Sequence, residues 1–504
     1  MKTSTIRIII TLATVAAGIA AAFIGLTAGA AGYSTESYSM LMTRNPMAHI
    51  AGLPVWLAGS GWAAVFGHSV TSMRALVSVC VAAAAAIGAI YYRRNTGNTP
   101  AAAMIFLLSV LCARAGEVFE YNYFTVGFPA YALATVALIS AARRRTPVRW
   151  LAAALCTGLA AWCVSARFIG SPAAAYGANI VETLTYYPIV NMELVLYWSP
   201  MVAALLAALA MTRRRLRRPR TAALWFIVIV TAYTAIISHA LMSDYFLERG
   251  LIGAAQPLVL ALLLLIPARN LLLARTPEEK IPVPAAPLWC VAALLLLLPA
   301  GVAADGSRCS IAVFFAIGPV AAVIRPCLTP ALSRFVKRSL ALAAIVAATI
   351  LITLTAYRHK HFVYPLDEFP LHAGRTTHAW EYNTVKAQAD SLAAYRARGI
   401  NTLVPYGHCR LRMMYGPQLT DSRDSFTDEM ITPVQPPLLR TYGHYTARVL
   451  PALDRADAVI YEGYDRQEDW LIPRMMEERG FDLAAGLRYS AIYRRAEQSG
   501  AHTH

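Results

Sequence analysis

The sequence predicts an α-helical polytopic membrane protein with about 11 transmembrane helices and a small C-terminal α/β soluble domain. Its 504 residues are 57% hydrophobic and only 14% charged, whereas soluble domains carry about 25% charged residues. Long apolar segments recur along the first part of the chain, and from residue 358 the composition becomes that of a soluble protein. We therefore divide the chain into a transmembrane domain, 1–357, and an extracytoplasmic α/β domain, 358–504.

The predicted spans are apolar segments long enough to cross roughly 30 Å of hydrocarbon. They cover 8–31, 72–92, 100–115, 124–142, 148–166, 190–211, 222–242, 252–273, 287–304, 310–325 and 339–357. The first begins like a signal peptide, but its apolar stretch is too long for one, so we expect an uncleaved span.

Basic residues collect in alternate connections, for example at Arg93 and Arg94, at Arg143 and Arg144, and at Lys337. One side holds 21 Lys and Arg residues, and the short connections on the other side hold 6. The positive-inside rule then predicts a multi-pass protein of the cytoplasmic (inner) membrane, with the N-terminus inside and the C-terminal domain outside. The net charge of +17 thus reflects topology and contact with the lipid bilayer, and we expect no nucleic acid partner.

The C-terminal region alternates between helix and strand patterns. We expect a helix over 381–398, strands over 400–406 and 457–461, a helix over 469–479 and a closing hairpin from 481–487 and 489–494. The segment 407–444 is irregular and is predicted to be a long loop.

The first outer loop, 32–74, is much longer than a turn requires, and long loops are usually functional or disordered. Its richness in aromatic residues and its low charge argue against disorder. It contains one acidic residue, Glu36, together with the cations Arg44 and Arg74. A lone carboxylate among cations and aromatic residues at the lipid surface indicates chemistry on an anionic lipid headgroup.

Elaborate outer connections place this chemistry on the outer face of the membrane. The inner loops are short and basic, and the sequence offers no usable GxxxxGK[ST] or GxGxxG motif. An activated substrate must therefore arrive already attached to lipid, and we expect no cofactor.

Three stretches of the sequence carry a family resemblance: YSTESYSML after the first span, PVWLAGSGWAAVFGHSVTSMR leading into the second, and the terminal GFDLAAGLRYSAIYRR. They resemble the C-type (GT-C) superfamily of polytopic membrane glycosyltransferases, which includes protein O-mannosyltransferases and aminoarabinose transferases. The resemblance implies transfer of a sugar from a polyprenyl-phosphate donor to a glycan, lipid or protein acceptor in the cell envelope. The family usually has an acidic pair where this chain has only Glu36.

Such transfer needs a base for the acceptor and cations for the leaving phosphate. Glu36 fits the base, because hydrocarbon beside a carboxylate raises its pKa. The resemblance implies a second acidic position in the next outer loop, where Glu117 and Glu120 stand. These three carboxylates are the catalytic candidates; they are a thin set for a divalent ion, so we expect no metal.

The candidates for binding the donor phosphate are arginines at outer span ends, because the guanidinium fork suits phosphate oxygens. They are Arg74, Arg114, Arg167 and Arg249. The alternative for each is an arginine that extends to lipid headgroups without a specific ligand.

The sequence leaves three other functions open: an O-antigen polymerase or ligase type of enzyme, a transporter, and a non-catalytic membrane scaffold. A transporter should carry ionisable residues in mid-span, and the predicted spans largely avoid them.

Overall fold

The fold is described from a computed structural model. It describes residues 3–24, 26–27, 53–115, 121, 123–144, 146–164, 277, 312–328, 334–369, 372–397, 403–407, 454, 456–462, 476–487 and 490–496. Within these ranges the protein is mainly helical. The helices are α1 (Thr3–Phe23), α2 (Leu53–Phe66), α3 (Val70–Thr96), α4 (Thr99–Ala115), α5 (Tyr123–Arg144), α6 (Pro147–Val164), α7 (Ala312–Leu328), α8 (Arg334–His359) and α9 (Ala379–Ala397).

Three of the described helices are long and apolar enough to cross a membrane: Thr5–Phe23 in α1, α3, and Thr125–Arg144 in α5. Several helices also expose large apolar side chains, including Leu12 on α1 and Leu155 on α6. Such surfaces are unfavourable in water and suit contact with lipid. Length, composition and surface together identify an integral membrane protein.

Helices α3 to α8 coincide with predicted spans, with ends shifted by a few residues. Helix α1, at Thr3–Phe23, overlaps the predicted span 8–31 but ends eight residues before the predicted limit. The predicted spans 190–211, 222–242, 252–273 and 287–304 lie outside the described residues. One difference concerns the first outer loop. Its second half is helical, because α2 occupies Leu53–Phe66 and α3 already begins at Val70.

The turns around α3 follow from local capping chemistry. Ser69 precedes the helix, and its Oγ accepts a hydrogen bond from the Ser72 N–H (3.2 Å), as an N-cap residue does. At the other end Gly97 has φ +67°, a conformation that glycine adopts without a steric penalty. Asn98 then caps α4 by accepting from the Ala101 N–H (3.3 Å). The chain therefore passes from α3 to α4 through a tight connection.

The C-terminal ends of three helices meet at one end of the bundle, here called the basic end. Arg143 of α5 donates to Oδ1 of Asn95 in α3 (2.7 Å). Arg325 of α7 donates to the Thr96 carbonyl (3.1 Å) and lies 5.8 Å from the centre of the Tyr92 ring. Cations are favoured at helix C-termini, where the last carbonyls point outward.

Helices α3 and α7 approach closely because glycines face each other. A Cβ added at Gly318 would lie 2.5 Å from the Gly88 carbonyl oxygen, and one added at Gly88 would lie 2.7 Å from the Phe315 carbonyl oxygen. Nearby, the Ser109 hydroxyl of α4 donates to the Phe314 carbonyl (3.3 Å) in a buried position. Small residues and interhelical hydrogen bonds are the usual means of packing helices in membranes.

The chain divides into two compact units. The first comprises Met1–Ile24, His49–Ala58 and Arg74–Arg358, and the second comprises Gly25–Ala48, Gly59–Met73 and His359–His504. The division of the sequence into domains 1–357 and 358–504 stays a prediction.

The second unit contains a four-stranded sheet in the order β3-β4-β6-β5. Its strands are β3 (Leu403–Gly407), β4 (Ala458–Glu462), β5 (Phe481–Leu487) and β6 (Ser490–Arg495). Strands β3 and β4 are parallel, and β4, β6 and β5 pair antiparallel. The two predicted strands, the closing hairpin and the helix now seen as α9 are confirmed, whereas 408–444 lies outside the described residues.

A short two-stranded ladder, β1 (Tyr364–Pro365) and β2 (Thr376–Thr377), flanks a tight loop in the same unit. The Leu366 N–H donates to the Arg375 carbonyl (2.8 Å), and the Thr376 N–H donates to the Thr27 carbonyl (2.8 Å). On the outside of this loop Glu368 lies 3.5 Å from Lys386 of α9. The attraction of Glu368 raises the pKa of Lys386, and a hydrogen bond to the same carboxylate raises the pKa of Tyr382.

Candidate functional site

Two of the seven predicted site residues lie within the described structure, namely Arg74 and Arg114. The other five, Glu36, Glu117, Glu120, Arg167 and Arg249, lie outside the described residues, so their roles stay predictions.

The sequence places Arg74 at the end of the first outer loop, 32–74. In the structure it lies in the N-terminal part of α3 instead. Its side chain is only 7% exposed, between the fully buried residues Met73 and Val77. The N-terminal end of a helix carries partial positive charge. A buried guanidinium at this position adds to that positive charge.

Arg114 lies in the last turn of α4 and is also 7% exposed. Its neighbour Ala113 is fully buried. An arginine that extends to lipid headgroups keeps its guanidinium at the surface. Neither Arg74 nor Arg114 does so, and burial of both cations favours specific interactions over headgroup solvation.

The connectivity places both arginines at the same end of the first unit. Helices α3 and α5 finish at the basic end, so both begin at the opposite end, where Arg74 lies. Helix α4 starts beside the basic end, directly after Gly97, and therefore finishes at that opposite end with Arg114. We call this the buried-arginine end.

Tyr121 contributes a contact at the buried-arginine end that the sequence did not predict. It is fully buried, and its hydroxyl donates to the Val55 carbonyl in the first turn of α2 (2.8 Å). Tyr121 directly follows Glu120 and precedes α5. The hydrogen bond therefore holds Tyr121 against α2.

The second half of α2 is tied to the start of α3 within the second unit. The Trp62 indole N–H donates to the Ser72 carbonyl (2.9 Å) and lies 3.1 Å from the Ser72 hydroxyl. The signal for α2 was present in the sequence as the apolar run LPVWLAGSGWAAVF. It is too short for a span, and its glycine and proline residues are also typical of a loop.

Guanidinium groups hold phosphate oxygens through charge-assisted hydrogen bonds, which are stronger away from water. Among the described residues no three His, Cys, Asp or Glu side chains are grouped as metal ligands; metal independence stays a prediction, since the candidate carboxylates lie elsewhere in the chain.

No family model matches the chain, and no curated protein matches it. Two solved structures of ArnT from Cupriavidus metallidurans are similar to it, one bound to undecaprenyl phosphate and one in the apo state. The first is 11% identical, covers 99% of this chain and 99% of its own, and has a TM-score of 0.45. The second is 12% identical, covers 98% of both chains, and has a TM-score of 0.45.

Proposed function

We propose that the protein is a membrane glycosyltransferase that moves a sugar from a polyprenyl-phosphate donor to an acceptor on the outer face of the membrane. The observation that carries this proposal is the burial of Arg74 and Arg114 at one end of a membrane helix bundle. The resemblance of the segments around Glu36 and Arg74 to the C-type superfamily supports it independently.

In this proposal the arginines bind the phosphate that leaves the sugar. Negative charge develops on the leaving oxygen as the glycosidic bond breaks, and a preorganised cation stabilises it. Arg74 is favoured for this role because the positive end of α3 acts in the same direction. Arg114 is the second candidate, with Arg167 and Arg249 as further proposed contacts.

Glu36 is proposed as the general base that removes a proton from the acceptor hydroxyl. The released electron pair attacks the anomeric carbon, and the polyprenyl phosphate departs with the electrons of the broken bond. Glu117 and Glu120 are proposed to orient the acceptor. The hydrogen bond from Tyr121, the residue after Glu120, to Val55 supports this role.

The experiment measures binding of undecaprenyl phosphate, the ligand named for ArnT, to the full-length protein in nanodiscs. Arg74→Gln and Arg114→Gln should each weaken binding by about ten- to a hundredfold, since a hydrogen bond to a charged group contributes about 1.5–3 kcal/mol. Arg74→Lys should recover part of the loss, because it restores the charge but not the planar fork.

Arg94→Gln is the matched control. Arg94 is an exposed cation in the last turn of α3, far along the helix from Arg74, and its loss should leave affinity unchanged. Equal affinity of all four variants and the wild type would contradict the proposed phosphate site and favour the scaffold function.

A further inference from the structure

A group of aromatic side chains lies at the start of the C-terminal part of the second unit. Its members, here called the aromatic cluster, are Phe362, Tyr364, His378, Trp380 and Tyr382. The ring centres of Phe362 and His378 are 4.0 Å apart, and those of Tyr364 and Tyr382 are 5.7 Å apart and stacked. His378 also stacks with Trp380 at 6.4 Å. The rings thus connect the strand β1 to the beginning of α9.

The aromatic cluster is exposed on one side. Trp380 is 38% exposed and Tyr364 is 39% exposed. Val363, which lies between Phe362 and Tyr364 in the sequence, is 65% exposed. Exposed apolar side chains that occur singly need no explanation, but a group of them marks an interaction surface. The ion pair between Glu368 of the preceding loop and Lys386 of α9 is also exposed, so the apolar patch has a polar border.

The position of the aromatic cluster in the chain identifies its partner. Phe362 follows the end of α8 by three residues. Helix α8 is 26 residues long, which corresponds to about 39 Å at 1.5 Å per residue. It exposes Leu342 and Ile345, as a lipid-facing helix does. The apolar part of α8, Ala344–Tyr357, lies in the predicted span 339–357, so this prediction places the start of the aromatic cluster where the chain leaves the hydrocarbon.

The chemistry of the cluster fits the same partner. Tyrosine and tryptophan concentrate at membrane–water interfaces, where the ring contacts acyl chains and the polar atom reaches the headgroups. The exposed Lys360 precedes the cluster by two residues. Lysine at this depth adds attraction to lipid phosphates.

We propose that the aromatic cluster is a membrane-interface anchor, in which Tyr364 and Trp380 insert into the headgroup layer of the bilayer. This anchor holds β1 and the first turn of α9 at the membrane surface. It is independent of which side of the membrane the C-terminal region occupies and of the proposed transferase activity.

The test uses tryptophan quenching in the full-length protein. Wild type and Trp380→Phe are reconstituted in nanodiscs containing lipids brominated either near the headgroup or deep in the acyl chain. The difference between their emission spectra isolates Trp380. We expect the Trp380 emission obtained from this difference to fall strongly with lipids brominated near the headgroup. It should fall less with lipids brominated deep in the acyl chain.

Leu483→Trp is the control for a side chain of the same unit outside the cluster. Leu483 lies on β5, outside the proposed anchor, and is 60% exposed, so a tryptophan there should be quenched less than Trp380. Trp380 emission that is quenched no more than that of Leu483→Trp would overturn the anchor. A response of Trp380 only to added sugar or to protein concentration would also overturn it, by assigning the cluster to a glycan or to a second copy of the chain.

Discussion

At the scale of single residues, the main finding is that two cations expected at the membrane surface are buried. Arg74 and Arg114 are each 7% exposed, although span-end arginines commonly reach into the headgroup layer. A buried guanidinium cannot lose its proton to escape the cost of burial. Other residues of the chain, or a bound ligand, must therefore supply negative charge or hydrogen-bond acceptors.

Glu36→Gln tests the proposed base. The amide keeps the size of the side chain but cannot accept the proton, so turnover should fall by roughly 10²–10⁴-fold, while affinity for undecaprenyl phosphate should change little. The measurement is sugar transfer by the purified variant, with and without chelator. Glu477→Gln, an exposed carboxylate of the second unit, should behave as wild type. Full turnover of Glu36→Gln would exclude Glu36 as the base.

Tyr121→Phe tests whether the hydrogen bond to Val55 positions the segment with Glu117 and Glu120. Its loss removes about 0.5–1.5 kcal/mol of interaction and should lower turnover more than donor affinity. Kinetics with varied acceptor concentration would separate the two effects. Tyr92→Phe makes the same change at the basic end and keeps the ring beside Arg325. Equal behaviour of both variants would show that the Tyr121 contact only supports folding.

At the scale of helices, close packing depends on glycines where two backbones meet. The facing pair Gly88 and Gly318 brings α3 against α7, and a side chain at either position would contact a backbone carbonyl. Backbone atoms cannot move aside as a flexible side chain can, so these positions tolerate no Cβ without a shift of the helix.

Gly318→Leu should therefore destabilise the protein by about 1–3 kcal/mol. Gly158→Ala is its control, since an added Cβ at Gly158 meets nothing within 4 Å and alanine favours the helix by about 1 kcal/mol. Thermal unfolding in detergent should show a lower midpoint for Gly318→Leu and an equal or higher midpoint for Gly158→Ala. An unchanged midpoint for Gly318→Leu would mean that α3 and α7 are not tightly packed there.

At the scale of the whole molecule, the charge distribution predicts the orientation in the membrane. Ser499→Cys, in the C-terminal region, should react with an impermeant thiol reagent in intact cells. Thr146→Cys, exposed beside the basic end of the bundle, should react only after the cells are opened. The reverse pattern would overturn the prediction that the C-terminal region lies outside.

The sequence by itself determined the helical class, the positions of the described spans and the strands of the C-terminal sheet. These features follow from patterns that are local in the chain: apolar length for a span, and short β-branched or aromatic runs for a strand. The caps at Ser69 and Asn98 and the positive φ at Gly97 are equally local. For this reason the ends of α3 and α4 lie within a few residues of the predicted limits.

Only the tertiary structure decided that Arg74 and Arg114 are buried at one end, that Tyr121 bonds to Val55 and that α2 is a helix. Burial depends on which helices pack together, and Tyr121 and Val55 are separated by 66 residues. The run that forms α2 is compatible with either loop or helix, and its contacts to Tyr121 and Ser72 favour the helix. A local sequence pattern specifies whether a segment forms a helix or a strand. A buried polar group needs a hydrogen-bond partner, because leaving the bond unmade is costly. That partner is often distant in the sequence, so only the tertiary structure identifies it.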